Sequence, residues 1–164
     1  MKWYNARMSV SLNIQRSGAP EGHEPRRVPL VQEGGLVTID PWWGTIQPQR
    51  LHPRIPTWGE LEVIEHIEAG GRLIDTRLPE YTAASGTIPN SLVLPWETIT
   101  DHLDVIDPGA VTVLFCNGPQ CAATPQAVGR LLDAGVEPEA LAYYRGGIQD
   151  WIGLGLPTVP APSD

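Results

Sequence analysis

Apolar and polar positions change rhythm at Pro56. Residues 1–27 hold no sustained period and include "RSGAPEGHEPRR", which reads as an arm ordered only by contact. "VPLVQEGGLVTID" offers two short β-like runs around Glu33-Gly34-Gly35, the pattern of a hairpin. "PWWGTIQPQRLHPRIP" follows, with prolines at 41, 48, 53 and 56. It predicts extended chain lying across the body, with Trp42 and Trp43 as packing anchors rather than as a ligand-binding pair.

Beyond Pro56 the pattern alternates strand and helix. "TWGELEVIEHIEAGG" sets Leu61, Ile64 and Ile67 at helical spacing, with Thr57 and Glu60 as a capping box and Gly70-Gly71 as the stop. "RLIDT" and "SLVLP" are short apolar strands around "RLPEYTAASGTIPN", a loop with a short helix. "WETITDHLDVID" predicts a helix with Ile99 and Leu103 on one face. "AVTVLF" is apolar throughout, as in a strand buried on both faces. "TPQAVGRLLDAG" predicts a helix with Thr124 as cap and Pro125 at its first position. "ALAYY" and "GGIQDWIGLG" supply a last strand and a last helix. This alternation predicts an α/β fold: a parallel sheet with helices on both faces. The expected division is an N-terminal arm and hairpin extension over 1–54 and an α/β domain over 55–164.

Composition narrows the function classes. The 164 residues are 41% hydrophobic and 18% charged, a globular balance. No apolar run approaches the roughly 20 residues that cross a bilayer, and the first residues lack a secretory core. A soluble, cytoplasmic protein without a membrane partner is expected. The net charge is −8, and it is uneven. Residues 1–54 carry 7 basic and 4 acidic side chains, and the remainder carries 4 basic and 15 acidic ones. The body has no basic stripe, so no nucleic-acid partner is expected. Its cations are Arg72, Arg77, Arg130 and Arg145, which confines the candidates for holding an anion.

Two cysteines do not make a disulfide framework. Cys116 directly follows the most apolar strand, at the carboxyl edge where parallel sheets bind ligands. The loop "CNGPQCAAT" then leads into a helix. Its candidate amide donors are Asn117, Gly118, Gln120, Cys121, Ala122, Ala123 and Thr124, since Pro119 and Pro125 have no N–H. Converging amides and a helix N-terminus stabilise a thiolate or a persulfide anion. Three roles for Cys121 stay open: its amide serves the cradle while its side chain packs, it resolves an oxidised Cys116 as an intraloop disulfide, or the pair binds metal. The last lacks nearby ligands, and no metal or cofactor is expected.

"LIDTRLPEYTAASGTIPNSLVLPW" and "YYRGGIQDWIGLGLP" resemble the opening and closing signatures of rhodanese-like domains, and Cys116 falls between them. The resemblance covers about residues 56–160. It implies a five-stranded parallel sheet and a cysteine that carries sulfane sulfur as a persulfide from a donor such as thiosulfate to cyanide or a thiol. Cys116 would be the nucleophile and residues 117–123 the cradle. Arg77, from the Asp-x-Arg motif, would sit near the loop or brace it through Asp75, the pair reading first as a structural ion pair. Arg145 would attract an anionic donor.

Three departures stand out. Thr87 replaces the motif's histidine in "GTIP". No Arg or Lys follows the cysteine, which leaves thiosulfate without its nearest counter-charge and open as a donor. The loop is about two residues longer than the common form, yet Ala122 stands where a Cys-x5-Arg phosphatase loop needs arginine. The Cys-x-Gly-Pro-x-Cys pattern is similar to a variant in some bacterial rhodanese-like proteins. The expected function is therefore a sulfurtransferase. The alternative is a rhodanese-like interaction or redox-sensing module using Cys116 and Cys121, with a protein partner. The sequence leaves the oligomeric state open.

Overall fold

The computed structural model describes residues 14–162. Residues 1–13, the start of the expected arm, lie outside the described residues.

The hairpin forms where the pattern placed it. Strand β1 (Leu30–Val31) pairs antiparallel with β2 (Val37–Thr38), closed by the Gln32 N–H on the Leu36 carbonyl. After Pro56 come α1 (Glu60–Glu68), β3 (Arg72–Asp75), α2 (Pro79–Ser85), β4 (Ser91–Val93), β5 (Thr112–Phe115), α3 (Ala123–Asp133), β6 (Leu141–Tyr144) and α4 (Gly147–Gly153). The four strands of the body form a parallel sheet in the order β4-β3-β5-β6.

A fifth strand was expected, and the structure holds a single bridge in its place, between Thr57 and Tyr143. The Trp58 N–H meets the Tyr143 carbonyl at 2.8 Å, and the Tyr143 N–H meets the Pro56 carbonyl at 2.9 Å. Pro53 and Pro56 offer no N–H, so a longer ladder cannot build upstream. The same pairing holds Thr57 extended and moves the start of α1 to Gly59, whose N–H is bonded by the Glu62 carboxylate at 3.0 Å. The expected Thr57–Glu60 capping box does not form; the Thr57 hydroxyl bonds the Gln49 carbonyl instead.

Alternation along the strands splits the core in two. Ile74, Leu114 and Tyr143 face Ile99, Val128 and Leu131 on one side. Leu73, Val113, Phe115 and Tyr144 face Val63, Ile148 and Trp151 on the other. Burial on both faces is why these strands read as unbroken apolar runs. The segment after Trp96 is not one helix: it forms 3-10 turns over Ile99–Val105, kinked at His102, with Ile99 buried and Leu103 exposed. Ile99 packs beneath the sheet beside α3, so one buried side chain anchors a segment with poor helical continuity. Helix α3 begins at Ala123, one residue before the expected cap. Thr124 therefore lies inside the first turn, fully buried, with its hydroxyl 2.9 Å from that of Thr76 on the end of β3.

Candidate active site

Cys116 follows β5 at the carboxyl edge of the sheet. Its loop is held from below. The first amides of α4 take its carbonyls: Ile148 N–H on Cys116 at 3.0 Å and Gln149 N–H on Asn117 at 2.8 Å. This contact needs Gly147, whose φ is +59° and where a Cβ would lie 2.3 Å from the Cys116 carbonyl oxygen. A side chain there would collide with the backbone of the loop.

The loop is braced laterally by a buried ion pair. Arg77 meets the Asp75 carboxylate with Nη2 at 2.6 Å and Nε at 2.9 Å, and neither side chain is exposed. Arg77 also donates to Ser85, to the Gly86 carbonyl and to Asn117 Oδ1 at 3.3 Å. Thr87 completes the carboxylate's partners with its hydroxyl 2.7 Å from Asp75 Oδ2. Every charged atom in this cluster is bonded, as a buried pair requires. Arg77 thus braces the loop while its charge is cancelled by Asp75. The turn at Thr87 is also pinned by paired amides to Val159.

The two thiols face each other. Cys116 and Cys121 are both free and buried, they pack together beneath Trp43, and Cys116 Sγ donates to the Cys121 carbonyl oxygen at 3.6 Å. Burial pushes the Cys116 thiol up, and the neighbouring Cys121 adds to this, against hydrogen bonds from Thr124. Cys121 is drawn down to about 7, first by the Cys116 side chain, with the Ala123 and Asn117 amides and the Arg77 charge helping against burial. The two thiols titrate as a pair, in which one ionises readily and the other resists. The Cys121 N–H is turned away from the sulfurs to the Gly118 carbonyl at 2.9 Å, so this amide, a candidate cradle donor, is engaged within the loop. Gly118 allows Gln149 to pack against it, a Cβ there lying 2.5 Å from Gln149 Oε1.

The N-terminal extension covers the loop from above. Gly44 has a φ of +62°, and a Cβ there would lie 2.3 Å from the Gln120 carbonyl oxygen. The Thr45 N–H bonds that carbonyl at 3.1 Å, and the Gln47 N–H bonds Pro119 at 2.8 Å. The Gln120 side chain returns a bond to the Asp40 carbonyl. Trp43 packs directly on Cys116 and Cys121; Trp42 lies half-exposed, against His23.

Between extension and body opens a cavity of about 290 Å³. Asn117, Gln120, Cys121, Ala122, Ala123 and Arg77 line it from the body, with Tyr81 and Trp96 as aromatic walls. Cys121 faces this space, and Cys116 sits behind it at 1% exposure. Arg145 lies elsewhere. It donates Nε and Nη2 to the Gln47 carbonyl and borders a separate depression with Arg16, Pro119 and Gln149. The cation at the cavity is Arg27, set over the Tyr81 ring at 5.1 Å, which the sequence reading did not single out. Nothing local marks it: it stands in an aperiodic arm about ninety residues before the cysteines.

A rhodanese-like domain family model matches residues 61–154, more than half of the chain. A 97-residue stretch is 32% identical to the HTH-type transcriptional regulator Rv0324 of Mycobacterium tuberculosis, covering 58% of this chain and 41% of that protein. The fold is similar to a thiosulfate sulfurtransferase from Pseudomonas aeruginosa (TM-score 0.54, 22% identity, 66% of this chain and 21% of that one). It is also similar to a rhodanese-like domain protein from Staphylococcus aureus (TM-score 0.51, 23% identity, 64% and 99%). The chain thus spans well under half of the regulator and of the sulfurtransferase.

Proposed function

Since the chain belongs to the rhodanese-like domain family, we propose that it transfers sulfane sulfur through a persulfide on Cys116. The observation that carries this reading is the position of the buried Cys116 at the end of β5, behind a cavity lined by residues of its own loop. Cys116 attacks the outer sulfur of a donor. Its proton passes to the neighbouring Cys121 thiolate, which acts as the local base. The loop amides then stabilise the persulfide anion, and a thiol or cyanide removes the sulfur. Asn117, Gly118, Gln120, Ala122 and Ala123 form the surround, with Arg77 holding its shape.

Intact-mass measurement after incubation with sulfur donors tests this. A gain of about 32 Da, one sulfur, is expected on the wild-type protein and absent from Cys116→Ser. Cys121→Ser keeps the adduct but moves the pH dependence of loading upward, because the buried Cys116 thiol loses its base. No adduct with any of several donors would count against sulfur transfer.

The packing of two free, buried cysteines against each other favours a second reading, a redox-sensing pair. Peroxide would take two electrons and two protons from the thiols, leaving a Cys116–Cys121 disulfide and water. A mass about 2 Da lower, restored by a dithiol, together with no sulfur adduct, would favour it.

A further inference from the structure

We propose that the N-terminal extension supplies the substrate specificity of this site. Arg27, beside an aromatic lining, selects an organic sulfane-sulfur donor bearing one negative charge beside an apolar group, R–SO2–S⁻, over the inorganic dianion. The inference rests on the sulfur-transfer reading, and its test separates the two.

Three observations carry it. The cavity wall opposite the loop belongs to the extension, through Arg27, Trp43, Gly44 and Thr45. Among the described lining residues Arg27 and Arg77 are the cations, and Arg77 is paired with Asp75 at 2.6 Å, which leaves Arg27 as the cation with no carboxylate partner among them. Trp43, Tyr81 and Trp96 add aromatic rings to the lining. A monoanion with a flat apolar body satisfies all three. Its charge meets Arg27, and its body packs against the aromatic lining. A small dianion would bring a second charge against apolar walls with nothing to balance it. At about 290 Å³ the space sits at the small end of ligand pockets, fit for a single-ring donor.

The transfer step balances. The Cys116 thiolate attacks the terminal sulfur of R–SO2–S⁻. A Cys116 S–S bond forms, the donor's S–S bond breaks, and its electron pair leaves on the sulfinate R–SO2⁻. Charge is conserved at two negatives on each side, and Arg27 holds the one that departs.

Benzenethiosulfonate and thiosulfate are compared as donors by intact mass, and benzenesulfinate, the first donor's product, is titrated by calorimetry. Wild-type protein loads faster from benzenethiosulfonate. Arg27→Ala lowers that preference and weakens sulfinate binding about tenfold, the loss typical of one charge-assisted bond. Arg27→Lys restores part of it, and Arg26→Ala, whose side chain does not line the cavity, changes neither. Arg27-dependent sulfinate binding without a sulfur adduct would sustain the pocket's selectivity and overturn sulfur transfer. Loading with equal rates in wild type and Arg27→Ala, or a preference for thiosulfate, would overturn the role of the extension and leave sulfur transfer standing.

Discussion

Two charged side chains and two thiols decide how the centre of this site is built. Asp75 and Arg77 are 0% and 1% exposed, and each satisfies the other. Removing one member of such a pair leaves a buried charge alone, which costs about 3–5 kcal/mol. Asp75→Ala is therefore expected to lower unfolding stability by about 3 kcal/mol or more in a urea titration. Thr87→Val, which removes one neutral donor to the carboxylate, is expected to cost about 1 kcal/mol. The thiols divide differently than their positions in sequence imply. Cys116 holds the strand-end position, yet Cys121 is the thiol whose pKa is drawn down, to about 7, and it borders the cavity. Alkylation by iodoacetamide should rise through pH 7 on Cys121, with Cys116 slower at every neutral pH, as peptide mapping would resolve. The position of Cys116 was legible because an apolar run ending in a cysteine has few other meanings. The thiol contact was not, since sequence spacing leaves the turn between Gly118 and Cys121 undetermined.

At the scale of elements, the loop depends on α4 more than on its own residues. Two amides of the α4 start hold the carbonyls of Cys116 and Asn117, and Gly147 makes the approach possible. Gly147→Ala forces a β-carbon at positive φ against a carbonyl, so it is expected to destabilise the fold by more than about 1 kcal/mol. It should also slow sulfur loading more than it lowers stability predicts, because the loop itself must shift; loading rates measured well below the unfolding midpoint check this. Most elements of the body were legible from apolar period and Gly/Pro punctuation. The exceptions share a cause. Thr57 leaves its helix to bridge β6, and the Ile99–Val105 segment breaks into 3-10 turns around one buried isoleucine. In both cases a tertiary contact outweighs a local preference of a few tenths of a kcal/mol per residue.

The whole molecule is a sheet domain with its site roofed by a distant part of the chain. Asp40 is the latch of that roof. Burial raises its pKa, but the Arg26 and Trp42 amides and His23 more than offset this and bring it to about 2. A carboxylate whose folded value lies below its unfolded 3.8 contributes fully above that pH, and the contribution is lost as pH falls toward 2. Hydrogen exchange should thus show the Thr45 and Gln47 amides losing protection between pH 4 and 2 while β5 amides keep theirs. Asp40→Asn should weaken their protection at neutral pH and remove the acid step.

The sequence alone determined the α/β class, the hairpin, the strand that delivers Cys116 and the bracing pair Asp75–Arg77, because each is written in a contiguous pattern whose physics is local. Only the tertiary structure decided which cation faces the cavity. Arg145 and Arg77 are engaged by a carbonyl and a carboxylate, and Arg27 arrives from an aperiodic arm whose place is set by contacts with the loop it covers. Such placement is a sum of weak, long-range contacts, and no window of neighbouring residues records it.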